Sequence, residues 1–218
     1  MPERHDNRKI VGIGYYFTSC PIMKSSERQS FNYRAGGIFV DKKVVIISAS
    51  LRKDSNSERL AKAFAQGAER AENEIEFISL SGKKLGFCTG CLSCQKTFRC
   101  YMQDDAAVIA EKIKNADVVV FATPIYYYGI SGQLKTLLDR CNPIFPQEYR
   151  FRDVYLLMAA ADDNPHTTDK VISSLAGWVE CFPRCRLAGT VFAGGVTTPG
   201  DIKNHMALKE AFDAGMHI

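Results

Sequence analysis

The chain has 218 residues, enough for one ordinary domain with a substantial buried core. Hydrophobic residues at 46% against 24% charged describe a globular chain, neither disordered nor fibrous, and no apolar run reaches bilayer length. The formal net charge of +4 comes without a basic stripe or an arginine-rich helix, which argues against nucleic acid as a partner and tilts the chain toward anionic ligands.

Residues 1–40 fit no repeating plan. Ile10-Val11-Gly12-Ile13-Gly14 has the pattern of a strand, but Lys24 to Ala35 is polar and aperiodic. The segment is expected to be an extension outside the domain of residues 41–218. It is either a mis-assigned start, since Gly36-Gly37 can be encoded by a purine-rich ribosome-binding sequence and Val40 by a GTG codon, or a disordered or docking tail. The polar stretch after Met1, broken by Pro21, does not read as a signal peptide, so the expected location is cytoplasmic and no membrane is involved.

From Lys42 onward strand and helix patterns alternate. Val44-Val45-Ile46-Ile47 is a β-branched run of the kind that fills a strand buried on both faces. Leu60, Ala61, Phe64 and Ala68 follow at helical spacing, and Ile75 to Leu80 reads as a second strand. Asp104-Asp105 then place acidic residues at the positive end of a helix running through Val108, Ile109 and Ile113. Val118 to Phe121 is the third strand and Ser131 to Arg140 the next helix. Val154 to Met158 is the fourth strand, with a helix from about Thr168 to Phe182. Val191-Phe192 closes a fifth strand, and Leu208 to Met216 is a last helix. Five strands alternating with five helices imply an α/β fold, a doubly wound five-stranded parallel sheet with helices on both faces. Right-handed crossovers leave the flavodoxin-like order 2-1-3-4-5 as the obvious candidate. Ligands of such sheets bind beyond the carboxyl ends of the strands, so the loops after strands one, three and four are where chemistry is sought.

The loop Ser48 to Ser57 gathers hydroxyl and amide side chains, the cation pair Arg52-Lys53 and the start of a helix. That combination suits a phosphate dianion, because unpaired N–H groups and the helix dipole already favour negative charge. A polar turn with Ser55 or Ser57 as an ordinary N-cap is the alternative. No dinucleotide glycine fingerprint is present.

Four of the eight cysteines crowd into Cys88-x2-Cys91-x2-Cys94-x5-Cys100, in the loop after the second strand. The first three repeat the spacing with which ferredoxin loops wrap a cubane, and the fourth completes a ligand set. Three readings stand open: a 4Fe–4S cluster, a zinc site or redox disulfide, and an empty reduced loop. Cys20, Cys141, Cys181 and Cys185 read as buried bystanders. Trp178 reads as packing and His166 as an exposed loop histidine, a role over a bound ring being its alternative. His5, His205 and His217 form no ligand spacing. No nucleophile elbow is present, and no catalytic residue is assigned.

Ser50, Arg52, Ser55, Asn56 and Ser57 resemble the FMN-phosphate loop of the NADPH-dependent FMN reductase group of the flavodoxin-like superfamily. Ala122 to Lys135 and Leu138-Asp139-Arg140 resemble the same group, and the resemblance covers roughly residues 42–218. It implies that Pro124, Ile125, Tyr126, Tyr127, Tyr128 and Gly129 lie along the isoalloxazine ring, where main-chain amides meet its polar edge and tyrosines supply flat apolar surface. It further implies electron transfer from NAD(P)H through FMN to a small acceptor such as a quinone or flavin, in a homodimer or homotetramer. The cysteine pattern resembles the iron–sulfur flavoprotein branch of that superfamily, with Cys88, Cys91, Cys94 and Cys100 as the metal ligands. That resemblance implies an alternative: a non-enzymatic carrier taking electrons from a ferredoxin-like protein.

Overall fold

The computed structural model describes residues 41–218, which belong to one compact unit. The readings of residues 1–40, Cys20 and His5 included, lie outside the described residues.

In chain order the elements are β1 (Lys43–Ser48), α1 (Asn56–Arg70), β2 (Glu74–Ser79), α2 (Cys94–Thr97), α3 (Asp105–Asn115), β3 (Val118–Tyr126), β4 (Gly129–Ile130), α4 (Gly132–Arg140), β5 (Asp153–Ala159), α5 (Asp169–Glu180), β6 (Arg186–Ala193) and α6 (Met206–Met216). Short 3-10 turns cover Asn142–Ile144, Pro165–Thr168 and Asp201–Asn204. The parallel strands lie in the order β2-β1-β3-β5-β6. This is the flavodoxin-like order expected from the alternation, with β4 added as a two-residue antiparallel extension of β3.

Alternate residues of each strand feed two cores. Val45, Ile47, Val119 and Phe121 point to the face covered by α3, α4 and α5; Val44, Ile46, Val118 and Val120 point to the face covered by α1 and α6. On the first face Trp178 packs edge-on to Phe121 at 5.6 Å and against Phe182 at 4.7 Å, the packing role expected of it. On the second, α1 and α6 touch backbone to backbone: a Cβ at Gly67 would lie 2.0 Å from the Phe212 carbonyl oxygen, and one at Gly215 2.1 Å from that of Phe64. Among the described residues no helix is long and apolar enough to cross a membrane.

Two elements went unread. The β4 hairpin is two residues a side, too short for a period to register. Helix α2 is a single turn inside the cysteine loop, whose composition carries no apolar face.

Candidate functional site

At the carboxyl ends of β1, β3, β5 and β6 lies a cleft of about 210 Å³. Ser50, Arg52, Ser55, Asn56 and Ser57 form one wall, Pro124, Ile125 and Tyr126 a second, and Ala159, Ala160, Ala161, Val196 and Thr197 the rest. Eight of the eleven residues expected at a cofactor therefore meet around one opening.

The first wall is built by the start of α1. Ser55 is the N-cap, in extended conformation, and its hydroxyl accepts the Glu58 N–H at 3.2 Å. The earlier N–H groups of the turn have no intrahelical acceptor, which leaves donors and the positive helix end beside the buried hydroxyls of Ser50 and Ser57. Ser55 is thus both the ordinary cap and part of the cleft. Arg52 is exposed and reaches across to the Thr197 carbonyl oxygen at 3.0 Å.

Asn56 has a different task. Its Nδ2 donates to the Thr198 carbonyl at 2.9 Å, and its Oδ1 accepts the N–H of Gly200 at 3.2 Å. The side chain ties the β6–α6 loop to α1 at the wall of the cleft. The same loop is braced by Asp201, which accepts from Thr198 Oγ1 at 2.5 Å and from the N–H groups of Thr198 and Thr197. Those bonds, with Arg52 nearby, hold the Asp201 carboxyl below the usual carboxylate range. On the opposite side Gln133 Nε2 donates to the Ala49 carbonyl at 2.5 Å, fixing the start of α4 to the β1–α1 loop.

The hairpin between β3 and β4 turns on Tyr127 and Tyr128, with φ of +49° and +60°. Two positive φ angles in a two-residue turn are those of type I′, normally the province of Asn and Gly. Aromatic residues there carry backbone strain of the kind that collects at functional sites. Neither they nor Gly129 lines the cleft. Tyr127 is fully exposed, while the Tyr128 hydroxyl donates to Asp162 Oδ2 at 3.3 Å and its ring lies 5.9 Å from Lys170 Nζ.

The cysteine loop gathers its four thiols around a second, smaller cavity of about 20 Å³, lined also by Thr89, Leu92, Tyr101, Met102 and Asn142. Gly90, Leu92 and Phe98 all have positive φ, which winds the loop tightly. Cys94 is buried and its sulfur accepts from Asn142 Nδ2 at 3.3 Å. Burial, reinforced by the other three thiols, raises the Cys94 pKa. Cys88 and Cys91 stand exposed at the rim, and hydrogen bonds from Ser93 lower the pKa of Cys91. No disulfide joins the four, and among the described residues no three His, Cys, Asp or Glu side chains converge on a single ion.

Beneath this loop lies a residue that sequence reasoning placed only as a helix end. Arg140 is 1% exposed and doubly bonded to Asp104, Nη1 to Oδ2 and Nη2 to Oδ1, both at 2.7 Å. Burial works against its charge, but Asp104 and the neighbouring Cys100 outweigh it and raise the guanidinium pKa. The second omission is Ala159-Ala160-Ala161, whose small side chains at a strand end were a signal of close ligand approach that went unused.

The remaining residues take lesser places. His166 is exposed and pairs with Asp169 at 3.0 Å, outside the cleft. His205 Nδ1 caps α6 by accepting the Ala207 N–H. Cys141 is buried, and Cys185 half-buried, as bystanders should be; Cys181 is exposed, because the turn after α5 carries it out of the core. A larger groove of about 750 Å³ runs from Arg99 along α3 to Gln147, but its polar side chains bond one another, as the Lys114 ammonium does the Glu111 carboxylate and the Gln147 amide oxygen. The open N-terminus of α1 with its surrounding hydroxyls, not volume, singles out the 210 Å³ cleft.

Residues 42–184 match the family described as NADPH-dependent FMN reductase. An iron-sulfur flavoprotein of Methanocaldococcus jannaschii is 32% identical over 186 residues, covering 81% of this chain and 95% of that protein. A Bacillus subtilis protein named as an NAD(P)H-dependent FMN-containing oxidoreductase is 30% identical over 178 residues, covering 78% and 94%. Among solved structures, an NAD(P)H:quinone oxidoreductase from Methanothermobacter marburgensis superposes with a TM-score of 0.64 at 19% identity, over 81% of this chain and 96% of that one. An FMN-dependent NADH-azoreductase from Bacillus anthracis gives 0.59 at 19%, over 79% and 97%. At those identities the two structures speak for the fold alone.

Proposed function

This chain belongs to the NADPH-dependent FMN reductase family and is an NAD(P)H-dependent, FMN-using oxidoreductase, and from that premise we propose that it passes electrons to a small acceptor such as a quinone or free flavin at the cleft of Ser50, Pro124 and Ala160.

The observation that carries this reading is the pairing, in one opening, of phosphate-seeking donors with flat apolar walls. The hydroxyls of Ser50, Ser55 and Ser57, the first-turn N–H groups of α1 and the Arg52 guanidinium suit a phosphate dianion. Pro124, Ile125 and Ala159 to Ala161 leave a low, nonpolar slot for a planar ring. The donor set and the walls therefore fit FMN. FMN supplies the hydride and electron chemistry when bound. The chain's own residues bind it, orient it and keep water from it. Asn56 and Asp201 hold the loop that closes one side of the slot, and Gln133 holds the other. The exposed Tyr127 supports a homodimer or homotetramer in which a neighbouring copy covers the open edge.

Titration of the purified chain with FMN, followed by NAD(P)H oxidation with a quinone, tests the proposal. Tight binding and steady turnover are expected; a chain that binds no flavin would sink it.

A second reading is favoured by the thiol cavity. Four cysteines around one opening, an amide N–H on Cys94 and a buried guanidinium beside Cys100 form a donor set suited to an anionic iron–sulfur group. Cys88, Cys91, Cys94 and Cys100 would hold such a group, which would supply one-electron transfer there. Residues 81–103 carry Lys83, Lys84, Lys96 and Arg99 and no acidic residue, which suits an acidic ferredoxin-like donor. Stoichiometric iron and acid-labile sulfide are expected on this reading; their absence after reconstitution rejects it.

A further inference from the structure

Arg140 holds the cysteine loop by both of its ends. Nη1 donates to the Gly86 carbonyl at 2.7 Å, two residues before Cys88, and Nη2 to the Met102 carbonyl at 3.4 Å, two residues after Cys100. Asp104 accepts from both guanidinium nitrogens and also takes the Gly86 N–H at 2.8 Å. Gly86 is therefore gripped through its carbonyl and its N–H at once. The packing is tight: a Cβ there would come within 3.2 Å of Asp104 Oδ2 and 3.3 Å of the Met102 sulfur. The Asp104 carboxylate makes no cap bond to α3, although it stands at the cap position. Its bonds are spent on the loop. Arg140 Nε is buried with no partner, so the guanidinium retains an unanswered donor.

We propose that Arg140, gripped by Asp104, is a positioning residue for whatever anionic redox group the four thiols hold: it closes the loop that brings them together and sets a fixed positive charge beside them. The inference rests on the second reading above, that Cys88, Cys91, Cys94 and Cys100 carry an iron–sulfur group. A charge held in a low-dielectric interior favours the more negative, reduced state of a neighbouring group. Its partner carboxylate offsets that preference in part. Arg140 also ends the helix whose Gln133 is bonded to the flavin-side loop, so about 10 Å of α4 separates the two anchors.

The test uses the full chain reconstituted with iron and sulfide, carrying Arg140→Gln, Arg140→Lys, Asp104→Asn or Asp104→Asn/Arg140→Gln. Iron and acid-labile sulfide per chain, the midpoint potential of the retained group, and maleimide labelling of Cys94 in the iron-free protein are measured. FMN affinity reports the integrity of the fold. We expect Arg140→Gln to keep less than half of the iron and to label Cys94 at least tenfold faster, with FMN affinity within threefold of the parent. Arg140→Lys should restore most of the iron. The midpoint should move negative in Arg140→Gln and positive in Asp104→Asn, opposite signs that loss of packing alone would not produce. Where Arg140→Gln retains no measurable group or fails to fold, the double variant, which leaves no unpaired buried charge, supplies the labelling result, and Asp104→Asn the potential. Full iron in Arg140→Gln, shifts of one sign in both single variants, or a Cys94 as protected as in the parent overturns the proposal. If the parent itself takes up no iron, the cluster reading falls, and the labelling of Cys94 still decides whether Arg140 closes the loop.

Discussion

Asn56 and Thr198 lie 142 residues apart in sequence and are joined by a 2.9 Å bond from Nδ2 to the carbonyl oxygen. With Gly200 bonded to the same side chain, one amide secures a whole loop over the cleft. Replacing Asn56 by Ala leaves those loop groups unpaired at a part-buried site, a cost of about 1–3 kcal/mol. Because the loss loosens the cleft and not a phosphate contact, affinity for FMN and for riboflavin should fall together. Fluorescence titration with both flavins checks this, and an FMN-selective loss would return Asn56 to the phosphate site.

Arg52→Ala should behave in the opposite way. A charge-assisted contact to phosphate is worth about 1–3 kcal/mol, so FMN binding should weaken by roughly 5- to 150-fold. Riboflavin, which lacks the phosphate, should weaken much less, by only what the Arg52–Thr197 bond gives the loop. Equal affinities of parent and variant for FMN would remove Arg52 from the site.

Tyr127 and Tyr128 occupy a turn that their side chains disfavour. Tyr127→Asn/Tyr128→Gly supplies the residues this turn accepts, and should raise stability by about 1 kcal/mol at the hairpin. Turnover with NAD(P)H and a quinone should drop, since the turn directly follows Tyr126, which lines the cleft. Denaturant unfolding and steady-state kinetics measure the two effects. A variant both stabler and fully active would show that the strain serves nothing at this step.

Gly67→Ala asks for space that does not exist, since the new carbon would fall 2.0 Å from the Phe212 carbonyl oxygen. Overpacking of this kind costs about 1–3 kcal/mol when side chains can yield, and here the obstacle is backbone. A loss at or above that range is expected in urea unfolding. Because α1 also carries the Ser55 cap, flavin affinity should decline with it.

Burial pushes the Cys141 thiol up to about 12, and Cys185 likewise to about 12. In the unfolded chain a thiol titrates near 8.5. A raised folded value favours the neutral thiol, so its stabilising contribution is complete below about pH 8.5 and is lost as pH climbs toward 12. Unfolding free energy should therefore decline between pH 8.5 and 10, and decline less steeply in Cys141→Ala. Parallel slopes in parent and variant would contradict the burial of this thiol.

The fold was legible because its signals are local. Val44 to Ile47 and Val118 to Phe121 are unbroken β-branched or aromatic runs, and strands buried on both faces need nothing else. The serine-rich turn before α1 was equally open to reading, since helix caps and anion sites share one chemistry. Arg140 was not, because its meaning depends on Asp104, 36 residues away, and a pairing at that distance leaves no period behind. Strand β4 was hidden for another reason: Tyr-Tyr is a poor hairpin turn, so local preference argued against the structure that formed. Cys181 looked like its neighbours in composition, and only the course of the chain past α5 separates it from them.

The crossing of α1 and α6 through Gly67 and Gly215 has a consequence for cofactor uptake. The loop that faces the cleft is set by the N-terminus of α1, yet α1 is seated on its sheet face by a helix made of residues 206–216. A chain lacking that segment holds the serine loop on an unfinished support. The flavin site is thus conditional on α6: a chain cut before Met206 leaves the α1 face uncovered and should take up FMN poorly.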